Sequence, residues 1–235
     1  MSTNVGKIVP IFMTKSSVMN GEIVKVLDRS AVEQAVNLVK KGSLIAVPTD
    51  TIYGIACDAQ STTGVQSIYR IKRRDPKNRI AICVGDIEEI FKWSRVTVPK
   101  EVLTNLLPGP VTVVFERSEV LNEELNPTSN SIAIRIPDHE FIREVARKSC
   151  TPLALTSANI SADKSCVSIN EYSHLWPHLE AVFDAGILGS NRLGSTIVDL
   201  TRPGSYRIVR EGCALDFVNQ VLGSKFNLIK MSSPS

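Results

Sequence analysis

SLIAV, residues 43–47, runs straight into PTDTIYG, residues 48–54, and this join decides how the chain is read. The first segment is a short apolar run between Gly42 and Pro48, the pattern of a buried strand. The second sets two threonines, an aspartate and a tyrosine ahead of Gly54. A strand that gives way at once to hydrogen-bonding side chains places them at its end, where open α/β sheets bind ligands. A turn centred on Asp50 accounts for the same residues without any ligand.

Upstream, Ser30 and Glu33 form a capping-box signature before AVEQAVNLVKK, whose Ala31, Ala35, Leu38 and Val39 share one helical face; Gly42 closes that helix. Downstream, TTGVQSIYRIKRR carries Val65, Ile68, Tyr69 and Ile71 at helical spacing, and RIAICV reads as the next strand. Further strands are expected at 111–115, 131–136, 153–156, 195–200 and 206–209, with helices at 100–107, 138–149 and 214–222. Helix and strand alternate, and some strands lie as close as hairpin partners. The expected fold is therefore a single α/β domain on a mixed sheet. Residues 1–22 read as a flexible N-terminal segment, 23–223 as the folded domain and 224–235 as a flexible C-terminal tail.

A chain of 235 residues, 43% hydrophobic and 22% charged, can bury a sizeable core. The net charge is only +3 with the signs interleaved, so no charge block points to nucleic acid or an anionic membrane as the main partner. Cys57, Cys83, Cys150, Cys166 and Cys213 are odd in number, widely spaced and without a C-x-x-C, which fits buried or inert thiols in a reducing compartment. The N-terminus is too polar for a secretory segment and poor in arginine for a transit peptide, and no apolar run reaches the length of a membrane span. A cytoplasmic protein with no transmembrane segment is expected. Two lysines and several hydroxyl residues in the first segment leave room for a mitochondrial pool.

Four segments carry unusual polar content at the ends of expected elements: PTDTIYG, KRRDPKN at 72–78, SIAIR ending at Arg135, and LTSANIS at 155–161. Each has a plain structural explanation. Lys72, Arg73 and Arg74 suit the negative end of a helix dipole, worth roughly 0.3–1 kcal/mol. TSAN suits a helix N-cap, and Arg135 suits the solvent side of an alternating strand.

Other chemistries drop out. GSNRLGST at 189–196 has Ser195 where a phosphate loop needs lysine, and a strand is expected after it instead of a helix. His174 and His178 are separated by Trp176-Pro177, which argues for a surface loop over a helix aiming both at one metal. There is no G-x-S-x-G, and none of the three histidines sits in a hydrolase context.

Taken in order, PTDTIYG, Lys72-x-Arg74 with Asn78, PGPVTVVF, SIAIRIPDH, TSANIS, GSTIVDL and REG resemble the YrdC family of threonylcarbamoyl-AMP synthases. The resemblance runs from about residue 25 to about residue 215. It implies a twisted, mixed α/β sheet in a single YrdC-like domain, with a concave, positively charged cavity. It also implies a nucleotidyltransferase that makes L-threonylcarbamoyladenylate and diphosphate from L-threonine, bicarbonate and ATP. That is the first step of N6-threonylcarbamoyladenosine formation at position 37 of tRNAs reading ANN codons. Mg2+ is expected on the phosphates and not on protein ligands. The product would pass to a tRNA threonylcarbamoyl transferase complex of the KEOPS type, and tRNA binding by this chain would be weak or indirect.

By position in the family motifs, ATP falls to Lys72, Arg74, Asn78, Ser131, Ser157, Asn159 and Arg210, with Lys72 and Arg74 at the reacting phosphates. L-Threonine falls to Thr51, Arg135 and Ser195, with Arg135 taking the carboxylate bidentately and Tyr53 and Gly54 shaping the backbone. The residue types suit that work, since a lysine and an arginine offer a point charge and a planar fork to phosphate oxygens. Preorganised donors lower the barrier to displacement at phosphorus without a covalent step.

The chain departs from the family where K-R-R-D and N-R-I replace K-G-R-P and N-P-L, where Cys83 replaces a threonine-contacting histidine of many microbial relatives, and in the loop after TSANIS. The added arginines motivate an alternative, an RNA-binding or ribosome-associated module without catalysis. A carbamoyl-adenylate enzyme that needs no threonine is a third reading.

Overall fold

The computed structural model describes residues 21–72, 79–159 and 164–232. The strands in chain order are β1 Glu22–Lys25, β2 Ile45–Val47, β3 Gly54–Asp58, β4 Ala81–Cys83, β5 Ser94–Arg95 and β6 Val111–Arg117. They continue with β7 Ser131–Arg135, β8 Leu153–Ser157, β9 Ala181–Asp184, β10 Thr196–Asp199, β11 Ser205–Arg210 and β12 Ile229–Lys230. The α-helices are α1 Ala31–Lys40, α2 Thr62–Ile71, α3 Ile87–Trp93, α4 Lys100–Leu106, α5 Glu140–Ser149 and α6 Leu215–Asn219.

The strands join in one sheet of order β1-β9-β2-β3-β8-β4-β7-β6-β10-β11-β12, with β5 on the side of β6. Parallel pairs such as β1 with β9 and β6 with β10 sit among antiparallel ones such as β3 with β8 and β6 with β7. The expected mixed α/β sheet is what forms.

Side chains alternate across this sheet, as strand geometry requires. Ile55 and Cys57 of β3, Ile82 of β4, Val111, Val113 and Phe115 of β6, and Ile132 and Ile134 of β7 enter the larger core. On the opposite face, Ala56, Leu153, Leu155, Ala181 and Phe183 pack against Ala35, Val36 and Val39 of α1 and Phe141, Ile142 and Val145 of α5. One row of cross-strand partners on that face runs Leu153, Cys83, Arg135, Thr112, Ile197. It begins in the helix-covered core and ends on strands that α1 and α5 do not cover.

Several local expectations change. Ser30 makes no side-chain cap bond, because its backbone (φ −91°, ψ −7°) is already helical and aims the hydroxyl away from the first-turn amides. Gly42 does close α1, at φ +74° and with its N–H on Val39 O. His174 and His178 lie on a 3-10 helix, Ile169–His178, and not on an irregular loop. Ile169, Tyr172 and Leu175 are its buried residues, and the backbone kinks at Tyr172 (φ −126°, ψ 27°). Past α6 a π-helical turn, Gln220–Lys225, leads into β12, which pairs with Ser205 and Tyr206 of β11. Within the segment expected as a C-terminal tail, Ile229 and Lys230 therefore pair with the sheet edge. Phe226 and Leu228 pack against the core just before them, an apolar signal that the reading as a tail passed over.

Candidate functional site

PTDTIYG turns the chain from β2 into its antiparallel neighbour β3. Thr49 organises the turn: its hydroxyl accepts from Thr51 N and Ile52 N and donates to Ile52 O at 2.7 Å. Tyr53 is fully buried, donating its hydroxyl to Gly186 O at 2.8 Å and accepting from Ala185 N at 2.9 Å. Burial pushes its pKa up to about 12, so the phenol stays protonated and structural. Gly54 lies so close to β8 that a Cβ would meet Leu155 Cδ1 at 2.6 Å and Thr156 O at 3.0 Å. The dense polar content thus holds a loop against two neighbours, and the glycine permits the approach.

Beside this loop a cavity of about 290 Å³ opens on the half of the sheet that α1 and α5 leave bare. That is near the lower end of the roughly 300–1,000 Å³ usual for small-molecule sites. Arg79, Arg135, Arg207 and Arg210 line it with Asp199, so its walls carry an excess of positive charge. Asp199 is bound by Arg207 at 2.5 Å and by Thr201. Burial alone would raise its pKa, but those bonds outweigh burial and hold it below the usual range.

Arg135 is not on a solvent side, being 6% exposed at the base of the cavity. Its Nη2 donates to Asp50 Oδ1 at 2.6 Å and to Thr51 Oγ1 at 2.9 Å. Both bidentate edges of a guanidinium include Nη2, so the expected bidentate grip on a carboxylate would have to displace Asp50 or Thr51. Asp50 Oδ2 and Arg135 Nε are buried without a hydrogen-bond partner among the described residues.

Ser195 precedes β10 and is buried; its hydroxyl lies 2.7 Å from Thr112 Oγ1. Arg210, at the end of β11, donates to Ser195 O at 2.8 Å and to Ser195 Oγ at 3.3 Å. Gly194 lets this arginine close in, since a Cβ there would meet Arg210 Nη2 at 3.0 Å.

Lys72 caps α2 and is 2% exposed. Its Nζ donates to Ser157 O at 2.7 Å and to Asn159 O, tying the helix end to the turn after β8. TSAN therefore continues a strand through Ser157 before it turns, and is not a helix cap within the described residues. Ser131 starts β7 and accepts from Arg79 Nη1 at 3.0 Å. Arg74 and Asn78 lie outside the described residues.

Cys83 is buried beside Arg135, and burial pushes its thiol up to about 12. Cys57 and Cys166 are also buried, whereas Cys150 and Cys213 are exposed; all five are free thiols. Burial raises the Cys213 thiol as well.

Three clusters thus form from the expected residues: Lys72 with Ser157 and Asn159, Arg135 with Thr51, and Ser195 with Arg210. Thr112 and Arg207 also line the cavity and were not singled out from the sequence, and Arg79, noted there as a departure from the family motif, lines it too. A signal existed for Thr112, as the polar residue in the apolar run VTVVF on the register that faces away from Val111 and Val113.

A family model for Sua5, YciO and YrdC proteins, described as telomere recombination, matches residues 37–212. The threonylcarbamoyl-AMP synthase of Mus musculus is 45% identical over 204 residues, covering 85% of this chain and 73% of the mouse protein. The Homo sapiens threonylcarbamoyl-AMP synthase is 44% identical with the same coverage. The structure of P. abyssi Sua5 complexed with L-threonine superposes with a TM-score of 0.80 at 26% identity, over 89% of this chain and 62% of the archaeal one. This chain therefore spans less than two thirds of that relative. E. coli YciO, 22% identical, matches in fold with a TM-score of 0.75 over 82% of this chain and 96% of its own.

Proposed function

The chain belongs to the Sua5, YciO and YrdC family, and from that premise we propose that it is a threonylcarbamoyl-AMP synthase. The observation that carries this reading is the convergence on one cationic cavity of Arg135, Ser195 and Arg210, with Lys72 locked to the Ser157–Asn159 turn nearby. It occurs in a chain 45% identical to the mouse synthase.

In this reading L-threonine, bicarbonate and ATP are the substrates and the enzyme is a nucleotidyltransferase. The threonine amine attacks the carboxyl carbon derived from bicarbonate, forming N-carboxythreonine with loss of water or hydroxide. A carbamate oxygen then attacks the α-phosphorus of ATP, and the bond to diphosphate breaks. Thr51, Arg135 and Ser195 hold the amino acid. Arg74, Asn78, Ser131, Ser157, Asn159 and Arg210 hold the nucleotide, with Lys72 at the phosphates. No nucleophilic side chain takes part, so the catalysis is positioning plus stabilisation of developing phosphate charge.

Among the described residues no cluster of three His, Cys, Asp or Glu side chains could hold a metal, and Asp199 and Asp50 are engaged by arginines. In this reading Mg2+ enters with ATP as part of the substrate, where it would neutralise phosphate charge. Lys72 has to exchange its carbonyl partners for phosphate oxygens as the nucleotide binds. The labile adenylate requires an acceptor, here a KEOPS-type transferase acting on tRNA.

The test is diphosphate release from ATP, Mg2+ and bicarbonate, with and without L-threonine. Threonine-dependent release, lost in Lys72→Ala and Arg74→Ala, is expected. Release that ignores threonine would favour the carbamoyl-adenylate reading, and no release from folded protein would remove the synthase reading.

A further inference from the structure

We propose that Thr112 is a positioning residue that, through Ser195, turns a second donor towards the carboxylate of L-threonine. The inference rests on the synthase reading above and deepens it at one point. Because Asp50 and Thr51 occupy Nη2, Arg135 meets a carboxylate with one hydrogen bond where two were expected. The cavity must supply the other.

Thr112 and Arg135 are direct cross-strand partners in the β6–β7 ladder, so their side chains stand side by side on the cavity face. Thr112 is 3% exposed, and the Ser195 hydroxyl is the hydrogen-bond partner of its own hydroxyl among the described residues. Two hydroxyls that share one hydrogen bond have two protons between them, so one is left over. Arg210 Nη2 already occupies a lone pair of Ser195 Oγ. With Thr112 donating, both Ser195 lone pairs are filled and the Ser195 proton is the one turned outward. The donors that face the ligand at this point are then the Ser195 hydroxyl, Arg135 and Arg210. An anionic oxygen pair fits that set, whereas an ammonium or an amide N–H does not.

The threonine methyl has a place in this arrangement too. On a central strand between β7 and β10 a β-branched residue has restricted χ1, which holds the hydroxyl towards Ser195 without an additional bond. Thr112 need not touch the ligand to act. It sets the direction of the group that does.

The experiment compares the parent protein with Thr112→Val and Thr112→Ser in threonine-dependent diphosphate release, with folding checked by circular dichroism. Thr112→Val keeps the shape and removes the hydroxyl. The KM for L-threonine should rise about tenfold, the scale of a lost hydrogen bond to a charged group, with kcat and the KM for ATP within about twofold. Thr112→Ser should return the KM for L-threonine to within about threefold of the parent. Competition by L-threoninamide, which lacks the carboxylate, should be unchanged in Thr112→Val. Should valine crowd Ser195 and unfold the protein, Thr112→Ala removes the same hydroxyl and carries the same expectation.

A threonine KM within twofold of the parent in a folded Thr112→Val or Thr112→Ala protein overturns the positioning role and leaves the synthase reading intact. Equal rises in the KM values for threonine and ATP overturn it as well, by making the defect general. A parent protein without threonine-dependent release overturns both.

Discussion

Beneath α1 and α5 the sheet presents Ala56, Leu153, Leu155 and Phe183, whereas a few strands along the same face it presents Arg135, Thr112 and Arg210. Both halves obey one two-residue alternation, and both back onto the same apolar core. They differ in what fills the outer side. In the covered half, helices meet the strand side chains and stability comes from area removed from water, about 25 cal/mol per Å². In the open half no helix among the described residues arrives, so polar and charged side chains hold one another: Asp50 with Arg135, Asp199 with Arg207, Ser195 with Thr112 and Arg210. Each pair is already bonded before a ligand arrives. Substrate recognition in this half therefore starts from side chains that their partners already hold in place.

The two halves should come apart most at Arg135. Arg135→Met should abolish threonine-dependent diphosphate release, by more than about a hundredfold, and destabilise the fold by about 3 kcal/mol. The loss of stability comes from the Asp50 carboxylate, left buried without its partner. Denaturant titration of Arg135→Met and of the double variant with Asp50→Asn separates the two effects: the double variant should regain most of the stability and none of the activity. If the single variant is as stable as the parent, the pair is not what holds this half together.

Phe141→Ala tests the other half. Phe141 is 6% exposed and packs on Phe183 with ring centroids 5.0 Å apart. Truncation should cost about 3 kcal/mol through lost burial and the cavity it leaves, while the KM for threonine in the remaining folded enzyme stays within twofold. A large change in that KM would show that the halves are coupled.

The smallest expected effect is at the seam. His139 caps the start of α5 and is electrostatically exposed to Asp50, Asp138 and Glu140, which favour its cation, but burial dominates and holds its pKa below the ordinary value. A depressed pKa means that the fold prefers neutral imidazole. Its contribution is complete above the unfolded value of about 6.5 and is lost as pH falls from there through the lower folded value. Melting temperatures of the parent and His139→Gln at pH 7.5 and 5.5 should show a fall on acidification that is about 1–2 °C smaller in the variant. Parallel falls would remove His139 from the acid response.

The legibility of the fold follows the same division. Strands such as SIAIR and LALT were readable because their inner residues are Ile, Leu and Ala in alternation, and α2 and α5 because their apolar residues recur at helical spacing. β1 and β9 were missed because pairing with each other and with β2 defines them more than composition does. α3 was missed, although Glu89 accepts from Asp86 N and Gly85 N as a helix-start signal three residues into the motif would suggest. In the site, Arg135, Ser195 and Lys72 stood out through their motifs. Arg207 and Thr112 did not, since a polar residue on an alternating strand looks the same whether it faces solvent or a cavity. Only knowledge of where the helices stop covering the sheet tells them apart.

The strand order has a consequence for how the protein is made. β10 docks beside β6 and β11 beside β10, so Ser195 and Arg210 reach a cavity whose first wall, Thr49 to Gly54, left the ribosome long before them. A nascent chain holds an unfinished cup until residue 210 has emerged. Substrates that bind only the completed cup cannot shelter any earlier intermediate, so their stabilising influence falls on the finished molecule alone.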